Sequence, residues 1–516
     1  MPSRRDFLQT AVMGTAALPL ASLVLKRPPA AAGRKPNLVF ILADDGGYGD
    51  FGCYGATKIK TPNIDRLAVQ GVRFTDAYAP NATCTPTRYS ILTGEYAWRK
   101  PGTGILPGDA ALIIEPGRPT LPALMKKAGY ATGAVGKWHL GLGDGRLDWN
   151  GEIEPGPLEI GFDYFFGMPA TGDRVPCVYI ENRRVVNLDP ADPIQVDYKT
   201  PVGDDPTGKT HPERLKMELS AGHDGTIING ISRIGFMSGG KAARWTDEDM
   251  AATFTRKAVE FIEKHKDGPF FLYFGTHDPH VPRVPHPRFR GTSGCGVRGD
   301  VIQEFDGSVG EVTAVLDRLG LAGDTLLIVT SDNGGVINDG YDDGADRDIN
   351  GHRPNGPLRA GKYVAYEGGV RVPFLARWPG RIKPGTVSKQ VISLVDLAAT
   401  GAALAGTSLP VEAAPDSFNS LPAIADGAKS PRAALILEGR AIRKGDWKYV
   451  LKQQPKIKDG IEEAGAPVGE LYNLADDIGE TTDLAAKHPD VAKELRAALI
   501  AARSSKRTRS RRKNSG

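Results

Sequence analysis

Apolar runs in this chain repeatedly stop on polar chemistry. PNLVFILADD (36–45) is an apolar stretch closed by Asp44 and Asp45. Such a run predicts a strand buried on both faces of a parallel sheet and ending in a loop. TPNIDRLAVQG (61–71) changes period: Ile64, Leu67 and Ala68 recur at helical spacing, and Gly71 stops the helix. VRFTDAYA (72–79) predicts a strand. PTLPALMKKAGYATGAVGKWHLG (119–141) predicts a helix, a glycine stop, a strand and a glycine-rich loop. Helix then strand recurs in AATFTRKAVEFIEKH before PFFLYFGTHDPH, and in EFDGSVGEVTAVLDRLG before DTLLIVTSDNGG. This alternation predicts an α/β fold, a large mainly parallel sheet flanked by helices. In such sheets the site forms at the carboxyl ends of the strands.

The pattern weakens after about residue 410. AALILEGRAIRKGDWKYVL (433–451) predicts two strands joined at Gly445-Asp446, and the stretch to residue 502 ends in an amphipathic helix. A small α+β unit over 411–502 therefore follows a main domain over 34–410. The formal charge of +4 hides an asymmetry. Residues 503–516 carry seven basic residues and no acid, and 1–33 carry a net +3, which leaves 34–502 at −6. An acidic body excludes a nucleic-acid-binding domain, and the basic end is expected to be a disordered tail. SRRDFLQT followed by the moderately apolar stretch 7–25 and AAAG has the form of a twin-arginine export signal over 1–33, placing the mature protein in the periplasm or outside the cell. Gly14 and Pro19 break that stretch, and no other apolar run is long enough to span a membrane. The four cysteines, at 53, 84, 177 and 295, form no CxxC pair, which argues against structural zinc.

Candidate chemistry sits at the strand ends. Asp44 and Asp45 close the first strand, and SDNGG places Asp332 and Asn333 at the end of a distant one. Either alone is an ordinary turn; together they offer three carboxylates and an amide, a hard-oxygen set for calcium or magnesium. Lys137 and His139 alternate in GKWHLG, so an extended segment would aim both into one space with Trp138 turned away. His277 and His280 close THDPH, and Lys362 lies in a glycine-flanked loop. Several cations and imidazoles around one metal suit an anionic substrate. In NATCTPTRYSILTG (81–94), Pro86 fits the first turn of a helix, which puts Cys84 at its N-terminus, where thiol pKa values fall. A soft thiolate nonetheless matches a hard cation poorly.

CTPTR with LTG closely resembles the activation signature of type I sulfatases, in which this cysteine is oxidised to formylglycine and the hydrated aldehyde is the nucleophile. The resemblance extends in order through PNLVFILADDGGYGDFGCYG, GYATGAVGKWHLG, GFDYFFG, PFFLYF, IVTSDNGG, PLRAGK, YEGGVRVPFLARWPG and LYNLADDIGETTDLA, most of 36–490. It implies an alkaline-phosphatase-like sandwich with a small C-terminal domain. It also implies a divalent ion, usually calcium, on Asp44, Asp45, Asp332, Asn333 and the modified Cys84. Arg88 and Lys137 would orient the hydrate, His139 would bond its second hydroxyl, and His280 and Lys362 would grip the sulfate, with His280 as general acid. Thr171 occupies a position where relatives can have a sulfate-contacting serine. Gly46 stands where many relatives carry a bulkier residue, and is expected to loosen the loop. A formylglycine-generating enzyme is the implied maturation partner.

Less is written about the substrate. Residues 199–246 form an insertion containing His223, Asp224, Arg233, Lys241, Arg244 and Trp245, types that contact sugars and anions, which suggests a sulfated carbohydrate as substrate; a packing or lid segment is the alternative. A phosphonate or phosphate ester hydrolase of the same superfamily is the first rival reading. An inactive sulfated-glycan binder is the second, and it should have lost core residues that are all present here.

Overall fold

The computed structural model describes residues 34–145, 147–452, 457–458, 461–462 and 469–509; the export signal read in 1–33 lies outside them. In chain order the strands of the main sheet are β1 (Asn37–Ala43), β2 (Val72–Phe74), β3 (Ala131–Lys137), β4 (Tyr164–Met168), β5 (Ile180–Glu181), β6 (Arg184–Val185), β7 (Phe270–Gly275), β8 (Thr325–Ser331), β9 (Phe374–Arg377) and β10 (Thr386–Ser388). They lie in the order β10-β2-β9-β8-β1-β7-β3-β4-β5-β6. The central strands β8, β1, β7, β3 and β4 run parallel, and β9, β2, β5 and β6 bring the antiparallel pairings. β1, β7 and β8 are buried along their whole length, as apolar runs sealed on both faces must be. VRFTDAYA is split: β2 joins this sheet, while Ala77–Tyr78 turns away to pair with Ile392–Ser393.

Helices α1 (Pro62–Gln70), α4 (Met250–Lys264) and α5 (Gly296–Arg318) form one packed group; α2 (Cys84–Thr93), α3 (Leu121–Lys127) and α6 (Leu397–Leu404) form another. Ile64 and Leu67 of α1 point into the core as their spacing requires.

The C-terminal sheet has four strands in sequential order, β11 (Leu435–Leu437), β12 (Ala441–Lys444), β13 (Trp447–Val450) and β14 (Glu470–Asn473). The stretch read as two strands is three, because Glu438 and Gly439 adopt left-handed backbone and insert a turn within the first of them. Helix α7 (Pro489–Ser504) covers the sheet with Leu495 and Leu499. Ala414, Ile424 and Ala425 belong to the main core, so the chain keeps packing on the first domain well past residue 410. Of the segment expected to be a disordered tail, residues 503–504 end α7, and Arg507, Thr508 and Arg509 are hydrogen-bonded to the 411–416 loop.

Candidate active site at the strand carboxyl ends

Four adjacent parallel strands deliver the chemistry. β8, β1, β7 and β3 end side by side, and each leads directly into polar residues: Asp332 and Asn333, Asp44 and Asp45, His277 and His280, Lys137 and His139. Two glycines let these ends close up. A Cβ on Gly136 would lie 1.9 Å from the Gly275 carbonyl oxygen, and one on Gly275 would lie 2.7 Å from Arg88 Nη1. The extended geometry expected through GKWHLG stops at Lys137, because His139 is left-handed with φ 57°. Trp138 is nevertheless buried away from the site, its indole donating to Gly141 O at 2.8 Å.

Helix α2 begins at Cys84 itself, with Thr83 extended before it, and ends at left-handed Gly94. All ten of its residues are buried, so it is an internal element rather than an amphipathic one. The thiol does not have the lowered pKa that a helix N-terminus favours. Burial pushes it up to about 12, against the pull of Lys137 and Lys362, and it is a neutral thiol.

Around it, three buried carboxylates meet three buried cations. Lys137 Nζ donates to Asp44 Oδ2 at 2.6 Å, Lys362 Nζ to Asp45 Oδ2 at 2.8 Å, and Arg88 donates twice to Asp332 Oδ2 at 2.9 and 2.7 Å. Burial raises the Asp44 carboxyl above its usual range; Asp45 stays below it, because the Lys362 ammonium bonded to it outweighs burial. Asp44 Oδ1 and Asn333 Oδ1 are buried without any hydrogen-bond partner. Orphaned oxygens in a dry site are costly, and both are the hard donors a divalent cation takes. Ligating atoms of Asp44, Asp45, Cys84 and His280 lie within 4.8 Å of one another. The residues therefore fit a cation. Gly46 does not loosen this loop: its N–H donates to Ser331 Oγ at 2.8 Å, and it is buried.

Cys84, His139, His280 and Lys362 line one small cleft of about 60 Å³. His139 Nε2 donates to Leu106 O at 2.9 Å, which leaves Nδ1 bare, buried and unpartnered. Burial and Lys137 hold this imidazole well below its usual pKa, so it is neutral. His280 Nδ1 donates to Val281 O at 2.7 Å, and its Nε2 accepts from Lys362 at 3.2 Å. Burial and Lys362 likewise keep it deprotonated.

Thr171 does not line the cleft. Its hydroxyl is tied to Asp173, and Arg174 donates to it at 2.7 Å. Asp173 and Arg174 face the cleft instead, together with Ile105, His223, Asp339 and Tyr363. Sequence reasoning missed Asp173 and Arg174 although they stand beside Thr171; the GMPATGD motif pointed to the loop and not to its facing residues. Of the polar and aromatic residues named in the insertion, only His223 reaches the cleft, with Nε2 3.1 Å from Asp173 Oδ2. Arg233 is fully buried and braces the loop from behind, donating to Gly172 O at 2.6 Å and to Asp247 at 2.7 Å. Trp245 is buried on Asp247, and Arg244 binds Asp205.

Strand-end carboxylates and buried cations around one small cleft are the parts a hydrolase of anionic esters needs on an α/β scaffold. The chain belongs to the sulfatase family: the family model described as Sulfatase matches residues 36–407. It is 52% identical to an N-acetylgalactosamine-6-O-sulfatase of Bacteroides thetaiotaomicron over 90% of this chain and 92% of that protein. It is 34% identical to human arylsulfatase A over 90% of this chain and 87% of that protein. A solved structure from work on the metabolism of multiple glycosaminoglycans by Bacteroides thetaiotaomicron superposes with a TM-score of 0.87 at 50% identity, covering 92% of this chain and 100% of that one. The chain is thus an enzyme hydrolysing sulfate esters, of a family that implies formylglycine and a divalent metal. Among the described residues no helix is long and apolar enough to cross a membrane.

Proposed function

We propose that this enzyme removes the 6-O-sulfate of N-acetylgalactosamine in glycosaminoglycan fragments. The observation that carries this reading is the 52% identity, nearly end to end, to a protein of that named activity. The polar wall of the cleft supports it. Asp173 is held ionised by Arg174 and His223 although burial opposes this, and Asp173 in turn holds His223 above its usual pKa against burial. The Asp173 carboxylate and the Arg174 guanidinium can each bond a sugar hydroxyl, while His223, both ring nitrogens engaged by Ala221 O and Asp173, holds the carboxylate in place. Rejecting a sugar that cannot satisfy them is a strong source of specificity.

In this reading Cys84 is converted to formylglycine by a formylglycine-generating enzyme, and the signal in 1–33 carries the protein to the periplasm or beyond. Asp44, Asp45, Asp332 and Asn333 would hold calcium. The bound cation would polarise the sulfuryl oxygens, and formylglycine at position 84 would supply the oxygen nucleophile. The chain's own residues do the rest. Arg88, Lys137 and Lys362 place positive charge where negative charge develops. His139 offers bare Nδ1 to a hydroxyl proton, its tautomer fixed by Leu106 O. His280 Nε2 accepts from the Lys362 ammonium at 3.2 Å, so in this reading Lys362 supplies the proton that His280 passes to the leaving sugar oxygen when an anionic ester binds beside the pair.

The test is release of inorganic sulfate from 6-sulfated N-acetylgalactosamine, compared with its 4-sulfated isomer and with an aryl phosphate and an aryl phosphonate. The 6-sulfate should be preferred to the 4-sulfate by at least about tenfold in kcat/KM. Preference for the 4-sulfate overturns the linkage, and faster turnover of the phosphorus esters replaces this reading with the phosphonate or phosphate hydrolase.

A further inference from the structure

The cleft is narrow at its floor, where about 60 Å³ admits a few water molecules and hence a sulfuryl group, and the sugar that carries it is left to the outer wall. The carrier must lie across the mouth. Ile105 and Tyr363 line this cleft yet are 41% and 47% exposed. Large apolar side chains left this open are few among the described residues, and Val364, 36% exposed, directly follows Tyr363. Exposed apolar surface gathered at one cleft marks a place where a ligand completes the burial.

Tyr363 is also held in place at some cost. Its backbone is left-handed, φ 80°, a conformation a bulky residue rarely adopts. Its N–H donates to Ala82 O at 2.8 Å, two residues before Cys84. Its hydroxyl donates to Asp339 Oδ1 at 2.6 Å, and the other oxygen of Asp339 takes Lys362 Nζ at 2.7 Å. Lys362 Nζ lies 5.1 Å from the ring centroid. The ring is therefore fixed at its backbone and at its tip, beside the ammonium of the cleft, while about half of its surface faces solvent.

We infer that Tyr363, with Ile105, is the platform on which the pyranose ring bearing the sulfate lies. The C–H face of the sugar covers the aromatic ring while its hydroxyl edge meets Asp173 and Arg174, with His223 bracing Asp173 from behind. A pyranose has one apolar face and a polar edge, and this mouth offers a fixed partner for each. The inference rests on the carbohydrate reading above and makes Tyr363 a determinant of sugar binding, distinct from the sulfuryl-binding groups.

The experiment compares wild type, Tyr363→Phe and Tyr363→Asn. Asparagine tolerates the left-handed backbone, so the segment under Lys362 keeps its conformation without the ring. KM and kcat are measured on 6-sulfated N-acetylgalactosamine, with 6-sulfated galactose alongside, and inhibition by inorganic sulfate, which is too small to reach the platform, is measured in parallel. Tyr363→Asn should raise KM about tenfold, the scale of a lost stacking contact, and shift the inhibition constant for sulfate less than about twofold. Tyr363→Phe should stay within about threefold of wild type in KM. An unchanged KM in Tyr363→Asn overturns the platform. So does an equal loss of sulfate inhibition, which would mean that the ring acts only by positioning Lys362. No turnover of either sugar by the wild type, with turnover of an aryl sulfate intact, overturns the carbohydrate reading and the platform with it, and that outcome is distinct from the first two.

Discussion

At the junction between the main sheet and the C-terminal unit, Glu367, Glu480 and Asp76 meet Lys448, Arg371 and Arg443; at the strand ends, Asp44, Asp45 and Asp332 meet Arg88, Lys137 and Lys362. Each cluster sets three carboxylates against three cations. At the junction all six carboxylate oxygens have a polar neighbour. Lys448 lies 2.8 Å from Glu367 Oε1 and 2.9 Å from Glu480 Oε1, and Glu367 Oε2 takes Arg371 and the Tyr78 hydroxyl. Glu480 Oε2 accepts the Glu367 N–H at 2.5 Å, and Asp76 takes Arg371, Arg443 and the Thr75 hydroxyl. At the strand ends Asp44 Oδ1 has no polar neighbour nearer than Arg88 Nη2 at 3.8 Å, Asn333 Oδ1 and His139 Nδ1 accept no hydrogen bond, and Asp45, His139 and Tyr363 sit in left-handed backbone, as Glu480 alone does among the six junction residues. A charge network in which every carboxylate oxygen lies within 2.9 Å of a polar group holds two units together. An unsatisfied and strained one awaits a ligand.

This contrast can be broken in two places. Lys448→Met leaves Glu480 buried without its cation and Glu367 with Arg371 but no partner on Oε1, and should cost about 3–5 kcal/mol of stability, read as a drop in urea midpoint. The folded fraction should keep kcat within a few-fold. The Glu367 carboxyl is held well below its usual pKa, Lys448 and Arg371 outweighing burial. Its stabilising contribution is therefore full above the unfolded carboxylate pKa and is lost as pH falls through the folded value. Lys448→Met should flatten that acid limb. Asp44→Asn should behave in the opposite way. It removes a carboxylate that burial already disfavours and leaves an amide oxygen to accept from Lys137, so chelator-treated protein should lose less stability than Lys448→Met does, while kcat falls about 10²- to 10³-fold. If the two variants trade these outcomes, the assignment of one cluster to structure and the other to function is wrong.

The parallel strands, their order of chemistry and the helix at Cys84 were legible, because continuous apolar runs and helical spacing follow directly from burial on two faces or on one. The left-handed turn at His139 was not, since nothing in GKWHLG distinguishes an extended histidine from one that turns. The extra strand at Leu435–Leu437 was hidden because Glu438 takes a conformation its residue type does not announce. Asp44, Asp45, Asp332 and Asn333 could be picked out as hard donors at strand ends. Asp173, Arg174 and Asp339 could not, because they reach the cleft through loops whose course depends on distant partners such as Arg233 under Gly172. Thr171 shows the limit of matching a position to a family: its own side chain is turned to Asp173, and the side chains of this loop that face the cleft are Asp173 and Arg174.

The account turns on Cys84 being a precursor. Its thiol is neutral, 1% exposed and set among hard-oxygen donors, a poor nucleophile as encoded. Mass spectrometry of the peptide spanning Cys84, taken from protein that is releasing sulfate, tests this directly. Conversion of the thiol to the aldehyde loses about 18 Da by atom counting, and the account predicts that activity scales with the lighter fraction. Full activity in protein whose Cys84 peptide carries only the unmodified thiol would contradict it.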